Sequence, residues 1–256
     1  MELDETQKQR LYEDGYVHLP GVVPRERVDA ALRAINASLG SQGIDPAKLT
    51  TFRAQTYTPE LRTAPEITGL LNETPLWSLA ESAIGPGEIK PVTGGQIALR
   101  FPVMDTPPEP RPHIDGMYTP TNGVPKGTIA NFTALVGVLL SDLPGTHAGN
   151  FTVWPGTHHL YERYFREQGP QALLEGMPPV DLPEPVQVTG RAGDAVLVHY
   201  QLAHGIAGNG SPHIRYAIFF RLHHVNHESL HWECMTDIWQ EWAGMRDIVH
   251  APAGAR

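Results

Sequence analysis

Two short stretches carry residue types that could grip a metal. Residues 111 to 118 read RPHIDGMY, with His113 two positions before Asp115, and residues 227 to 231 read HESLH, with His227 and His231 flanking Glu228. An imidazole with a carboxylate supplies the nitrogen and oxygen donors that suit divalent iron. Two histidines one helical turn apart, with a glutamate between them, suit a zinc ion and the base that activates its water. Thirteen histidines and 28 acidic residues in 256 make coincidence a real competitor. A His-x-Asp/Glu pair is expected roughly 1.4 times by chance. It occurs twice, at His113/Asp115 and at His231/Glu233. HESLH is expected only roughly 0.04 times, so by counting alone it outranks the first motif.

Each motif needs further ligands. A zinc peptidase site requires a third protein ligand and an open fourth position. The glycine that would continue a metzincin motif is replaced by Cys234, and the only later glutamates, Glu233 and Glu241, are close by; Asp247 and His250 are the remaining donors. Too little chain follows to build a substrate cleft, and the bland reading of HESLH is a pair of surface helix histidines. On a strand, by contrast, residues i and i+2 share a side, so His113 and Asp115 can face one metal. His204, in VLVHYQLAHGIAGNGSPHIRY, is the natural distant third ligand. Two histidines and one carboxylate occupy one face of an octahedral iron(II) and leave three positions open. Arg215 follows His204 on the next strand candidate and could hold a distal carboxylate by a two-point salt bridge. Arg221 shares its alternation and competes for that role; for either, a strand-end surface charge is the plain alternative.

The elements that must position these residues fall into two regimes. Val28, Leu32, Ile35 and Leu39 recur at helical spacing between Pro24 and Gly40, and Thr74-Pro75 to Gly85 punctuates a second helix. From Gly94 the period becomes two: Ile97, Leu99 and Phe101 alternate with Gln96, Ala98 and Arg100. Further strands are expected over 129–143, 150–154, 185–190, 194–200 and 213–222, separated by turns such as PTNGVPKG and GNGSP. Several short strands bounded by Gly and Pro imply a mainly antiparallel sandwich or jelly roll with flanking helices. A single domain is expected over 1–256: a largely helical support (1–90), a jelly-roll core (91–226) and a C-terminal helix (227–256) packing its tryptophans outside the sheet.

The formal charge of −9, with 41% hydrophobic and 18% charged residues, describes a soluble globular chain and disfavours nucleic acid or an anionic membrane as partner. Cys234 is the only cysteine, so no internal disulfide can form. The acidic N-terminus is unlike a signal peptide, and no apolar run approaches the ~20 residues of a membrane span. A cytoplasmic protein acting on a small molecule is the expectation.

Four segments, in order, resemble the phytanoyl-CoA dioxygenase family of non-haem iron(II), 2-oxoglutarate-dependent oxygenases: LYEDGYVHLPGVVP, RPHIDG, GNFTVWPGTHH and HGIAGNGSPHIRYAIFFR. The resemblance implies a double-stranded β-helix with His113, Asp115 and His204 as iron ligands and Arg215 on the distal carboxylate of 2-oxoglutarate. Gln96, Arg100 and Thr121 are its further co-substrate contacts, and dioxygen is the second co-substrate. It implies hydroxylation of an unactivated C–H with release of succinate and carbon dioxide, because halogenating relatives replace the carboxylate that Asp115 retains. Departures are Val136-Gly137 where many members carry a tryptophan, which implies a more open pocket wall, the reversed Gly149-Asn150, and Thr157 for serine. His158 is expected to be structural. Tyr118, Trp154 and the loops TPTNGVPKG and EGMPPVDLPEP are the candidates to line the entrance. The acidic balance disfavours a highly anionic CoA ester, and a specialised metabolite is the preferred substrate. A zinc hydrolase using His227, Glu228 and His231, and a non-catalytic jelly-roll binding module, are the alternatives.

Overall fold

The computed structural model describes residues 1–251. Helix α1 (Glu5–Asp14) starts at a capping box, in which the Asp4 carboxylate accepts from the Gln7 amide at 2.8 Å and the Gln7 side chain accepts from the Asp4 amide at 2.9 Å. Strand β1 (Tyr16–Leu19) follows at once. Helices α2 (Arg25–Gln42), α3 (Leu49–Ala54), α4 (Pro65–Asn72) and α5 (Pro75–Ile84) complete the N-terminal support. The Thr74 hydroxyl accepts from the Leu76 amide, so α5 begins where the Thr-Pro signal predicts.

Strands β2 (Gln96–Arg100), β3 (Ala134–Leu139) and β4 (Phe151–Val153) lead to helix α6 (Thr157–Gln168). Strands β5 (Val186–Gln187), β6 (Ala195–His199), β7 (His204–Ile206) and β8 (Arg215–Leu222) follow. They form a five-stranded sheet in the order β1-β6-β3-β8-β2 and a three-stranded sheet in the order β5-β4-β7, with every pairing antiparallel. This is the jelly roll that the period-two patterning predicts. The expected strands are longer than the observed ones, at both ends except in β8, which ends at Leu222 as expected, because their flanks turn out of the ladders.

The larger sheet sorts its side chains by alternation. Ile97, Leu99, Val136, Val138, Leu197, Ile218 and Phe220 bury against α2, α4 and α5 in one apolar cluster. Leu135, Val196, Val198, Ala217 and Phe219 face the smaller sheet in a second cluster with Phe151, Val153 and Trp154. The second cluster is the floor on which the polar site is built.

Two elements differ from expectation. The C-terminal stretch is not one helix but a chain of turns around α7 (His227–Leu230) and α8 (Arg246–Val249), because Trp239, Trp242 and Met245 each turn inward to join the helix-side cluster. Residues 252–256 of the expected helix lie outside the described residues. Helix α6 is absent from the sequence reading; its signal is the spacing of His158, Tyr161 and Phe165, all buried, with Glu162 and Arg166 paired at i,i+4 on the other face.

Candidate metal and co-substrate site

His113 does not sit in a regular strand. It makes one isolated antiparallel bridge to His204 at the start of β7, with reciprocal amide-to-carbonyl hydrogen bonds of 2.9 and 3.0 Å. Gly205 permits this approach: a Cβ there would meet the Arg111 carbonyl oxygen at 2.4 Å. Asp115 enters the turn that follows, where Gly116 takes φ +89°. The shared side expected of a strand is thus supplied by a bridge and a turn.

The Asp115 Oδ1 atom stands 3.4 Å from His113 Nε2 and 3.7 Å from His204 Nε2. The donor atoms of the three residues lie within 4.8 Å of one another, close enough to share one ion. His204 Nδ1–H donates to the Leu202 carbonyl at 3.0 Å, which fixes the tautomer and leaves Nε2 with its lone pair for a metal. Thr157 supports the same segment: its hydroxyl accepts from the Ala203 amide at 2.9 Å, so the threonine performs a hydroxyl's structural task. Burial alone would raise the Asp115 pKa. The Arg221 guanidinium, with the His113 and His204 imidazoles beside it, outweighs this and holds the carboxyl well below its usual range.

Arg215 and Arg221 are resolved by their partners. Arg221 Nη2 donates to Asp115 Oδ2 at 2.9 Å and Nη1 donates to Gln96 Oε1 at 3.0 Å. Arg215 is 2% exposed, and it donates from Nε to the Gly149 carbonyl and from Nη1 to the Ala98 carbonyl. Its Nη2 is buried without a partner, a donor that an anion would satisfy. Burial, then the neighbouring Arg100, lowers Arg215 to about 9, so it stays charged at neutral pH. Arg100 stands beside it, opposite in the β2–β8 register.

Other expected residues are placed less centrally. Tyr118 is exposed on the loop after Asp115. Thr121 is tied by its carbonyl to Gln55 at 3.2 Å, and no hydrogen bond among the described residues joins its hydroxyl to the centre. Trp154 is a correction: it is buried in the inter-sheet cluster below α6, where its carbonyl accepts from Thr157, and so lines no entrance. The more open wall expected at Gly137 is also corrected, because the Phe219 ring occupies that space; a Cβ on Gly137 would lie 2.8 Å from Phe219 Cε1. His158 is structural, donating to the Tyr12 carbonyl at 2.9 Å.

HESLH forms no zinc site. His227 turns inward, and its Nδ1–H donates to Glu241 at 2.9 Å, while its Nε2 faces Asn131 Oδ1 at 3.3 Å. Glu228 points outward, 3.9 Å from Lys90 Nζ, and His231 bonds the Glu228 carbonyl. Burial would raise Glu241, but hydrogen bonds from His227 and Thr133 prevail and hold its carboxyl below the usual range, so His227 and Glu241 form a buried hydrogen-bonded pair. Cys234 lies close enough to this pair to count as a third donor, yet burial pushes its thiol up and keeps it protonated. The group is satisfied by its own protons and locks the C-terminal turns to the start of β3 through Asn131 and Thr133.

Residues 11–217 match the phytanoyl-CoA dioxygenase (PhyH) family. The chain belongs to that family. Iron(II), 2-oxoglutarate and dioxygen are the family's metal and co-substrates, and the nitrogen, nitrogen and oxygen donors of His113, His204 and Asp115 fit that metal. No curated protein matches the chain. Among solved structures, it is similar to HygX from Streptomyces hygroscopicus with nickel and 2-oxoglutarate bound, at 17% identity and TM-score 0.59 over 88% of each chain. It is similar to the non-heme alpha ketoglutarate dependent epimerase SnoN from nogalamycin biosynthesis at 22% identity and TM-score 0.52, over 87% of this chain and 83% of that one. The nickel complex of the non-heme monooxygenase ThoJ matches at 17% identity and TM-score 0.58, over 85% and 77%. These likenesses establish the double-stranded β-helix that this family member shares. No helix among the described residues is long and apolar enough to cross a membrane.

Proposed function

We propose that this chain is an iron(II)- and 2-oxoglutarate-dependent dioxygenase that hydroxylates an unactivated C–H bond of a small metabolite. The observation that carries the reading is the convergence of His113 Nε2, His204 Nε2 and Asp115 Oδ1, with the unpartnered Nη2 of Arg215 buried between the same two sheets. Iron bound there would activate dioxygen at the expense of 2-oxoglutarate, releasing succinate and carbon dioxide.

The protein's own residues do the rest. His113, Asp115 and His204 hold one face of the ion and leave three positions for ligands. Arg215 takes the distal carboxylate with its spare donor, while Arg100 adds positive charge alongside and Gln96 offers an amide nearer the metal. Phe151 and Phe219, with ring centroids 5.5 Å apart, keep this space apolar and dry. Relatives in fold are described as an epimerase and a monooxygenase. A C–H abstraction can serve either outcome, and the retained carboxylate of Asp115 excludes a halide from that position.

Anaerobic addition of iron(II) and 2-oxoglutarate tests the reading. A weak visible charge-transfer band is expected for the wild type, with loss of the band in Asp115→Ala and a much weakened titration in Arg215→Ala. A wild type without the band, or a band indifferent to both substitutions, sinks the proposal.

A further inference from the structure

The two oxygens of Asp115 have different neighbours. Oδ1 faces both imidazoles, at 3.4 and 3.7 Å, whereas Oδ2 receives Arg221 Nη2 at 2.9 Å. The same guanidinium sends Nη1 to Gln96 Oε1 at 3.0 Å and lies over the Phe132 ring, 5.5 Å from its centroid. One planar fork thereby touches a carboxylate, an amide and an aromatic face.

Resting on the dioxygenase reading, we propose that Arg221 is a positioning residue that keeps Asp115 a one-oxygen ligand and turns Gln96 toward the co-substrate. A carboxylate with both oxygens unengaged can close on a metal through both, and the second contact would take one of the three positions that 2-oxoglutarate and dioxygen need. Arg221 occupies Oδ2 and so reserves that position. By accepting from Arg221, the Gln96 carbonyl oxygen fixes the rotation of its amide and leaves the Nε2 donors available to an anion on the metal. Phe132 below, and the pairing of the Arg221 backbone with Leu135 in the β3–β8 ladder, restrain the guanidinium from swinging away. A lysine cannot reproduce this, because a single ammonium cannot reach the carboxylate and the amide in one plane.

The test uses the full-length protein under anaerobic conditions, with iron(II) or cobalt(II) loaded first and 2-oxoglutarate titrated second. Arg221→Met is expected to retain metal binding but to weaken 2-oxoglutarate binding by the roughly 10–100-fold typical of a lost outer partner, with a shifted charge-transfer band. Arg221→Lys is expected to recover part of the loss. Gln96→Leu is expected to weaken 2-oxoglutarate without altering the metal affinity. Should Arg221→Met fold poorly by thermal melting, Arg221→Gln takes its place, since it can engage only one of the two partners. A wild-type band with unchanged titrations in the folded Arg221 variants overturns the role of Arg221 alone. Absence of the wild-type band instead overturns the dioxygenase reading on which it rests.

Discussion

A buried guanidinium with one unused N–H pair is an expensive thing to keep, and Arg215 keeps one between two sheets. Removing either partner of a buried charge pair costs about 2–5 kcal/mol. Arg215→Met is therefore expected to raise the dissociation constant for 2-oxoglutarate on the order of a hundredfold, measured by calorimetry on the cobalt(II) protein. Its loss should spare metal binding, because among the described residues Arg215 bonds the Gly149 and Ala98 carbonyls and no hydrogen bond joins it to the three proposed metal donors. At this scale the sequence is a good guide to which donors converge and a poor one to their neighbours. His113, Asp115, His204 and Arg215 are legible because a motif and its order carry them. The Arg221–Asp115 contact spans 106 positions, and alternation alone offers Arg221 only as a rival to Arg215. HESLH misleads for a related reason: its rarity says nothing about Glu241, the acid that claims His227.

At the scale of elements, the centre depends on how closely two backbone segments can lie. A methyl at Gly205 would press on the Arg111 carbonyl, so Gly205→Ala should displace the His113 segment and cost about 1–3 kcal/mol by overpacking. Cobalt(II) affinity is expected to fall roughly tenfold or more, read by its absorption spectrum, while the far-ultraviolet circular dichroism stays that of the wild type. Helix ends with side-chain caps, such as Thr74, are legible because the cap is local. Helix α6 and the broken C-terminal stretch are not. There the decision rests with tertiary burial, of Tyr161 and Phe165 in one case and of Trp239 and Trp242 in the other. Gly137 belongs here too: its missing side chain opens a pocket in the sequence, but Phe219 from the neighbouring strand fills it.

For the molecule as a whole, the histidines outside the centre set its tolerance of acid. His199 stacks on Trp242, donates to the Ile238 carbonyl and is lowered to about 4, chiefly by burial. His158, also buried, is lowered well below its ordinary value by burial and by the adjacent His159 and His199. An unfolded chain protonates a histidine near pH ~6.5, whereas the folded chain resists until about 4 at His199. Between those values the unfolded state binds more protons, so stability falls as the pH drops through that window, by on the order of 3 kcal/mol for His199 alone. Above it the contribution is constant. Thermal melting of the metal-free protein from pH 7.5 down to 4 should show this decline, and His199→Gln should flatten it.

The isolated bridge between His113 and His204 has a thermodynamic side. Both imidazoles come from segments far apart in the chain, joined at these residues by two reciprocal backbone hydrogen bonds and further along by the Gly208 amide donating to the Pro108 carbonyl. Bringing such segments together incurs a loop-closure entropy that no local propensity offsets. An ion held by both imidazoles would bind the closed chain and not the open one, so its binding free energy becomes part of the folding free energy, about 2.7 kcal/mol at a hundred times its dissociation constant. The metal then works as a removable cross-link, closing the same loop that chemistry needs closed.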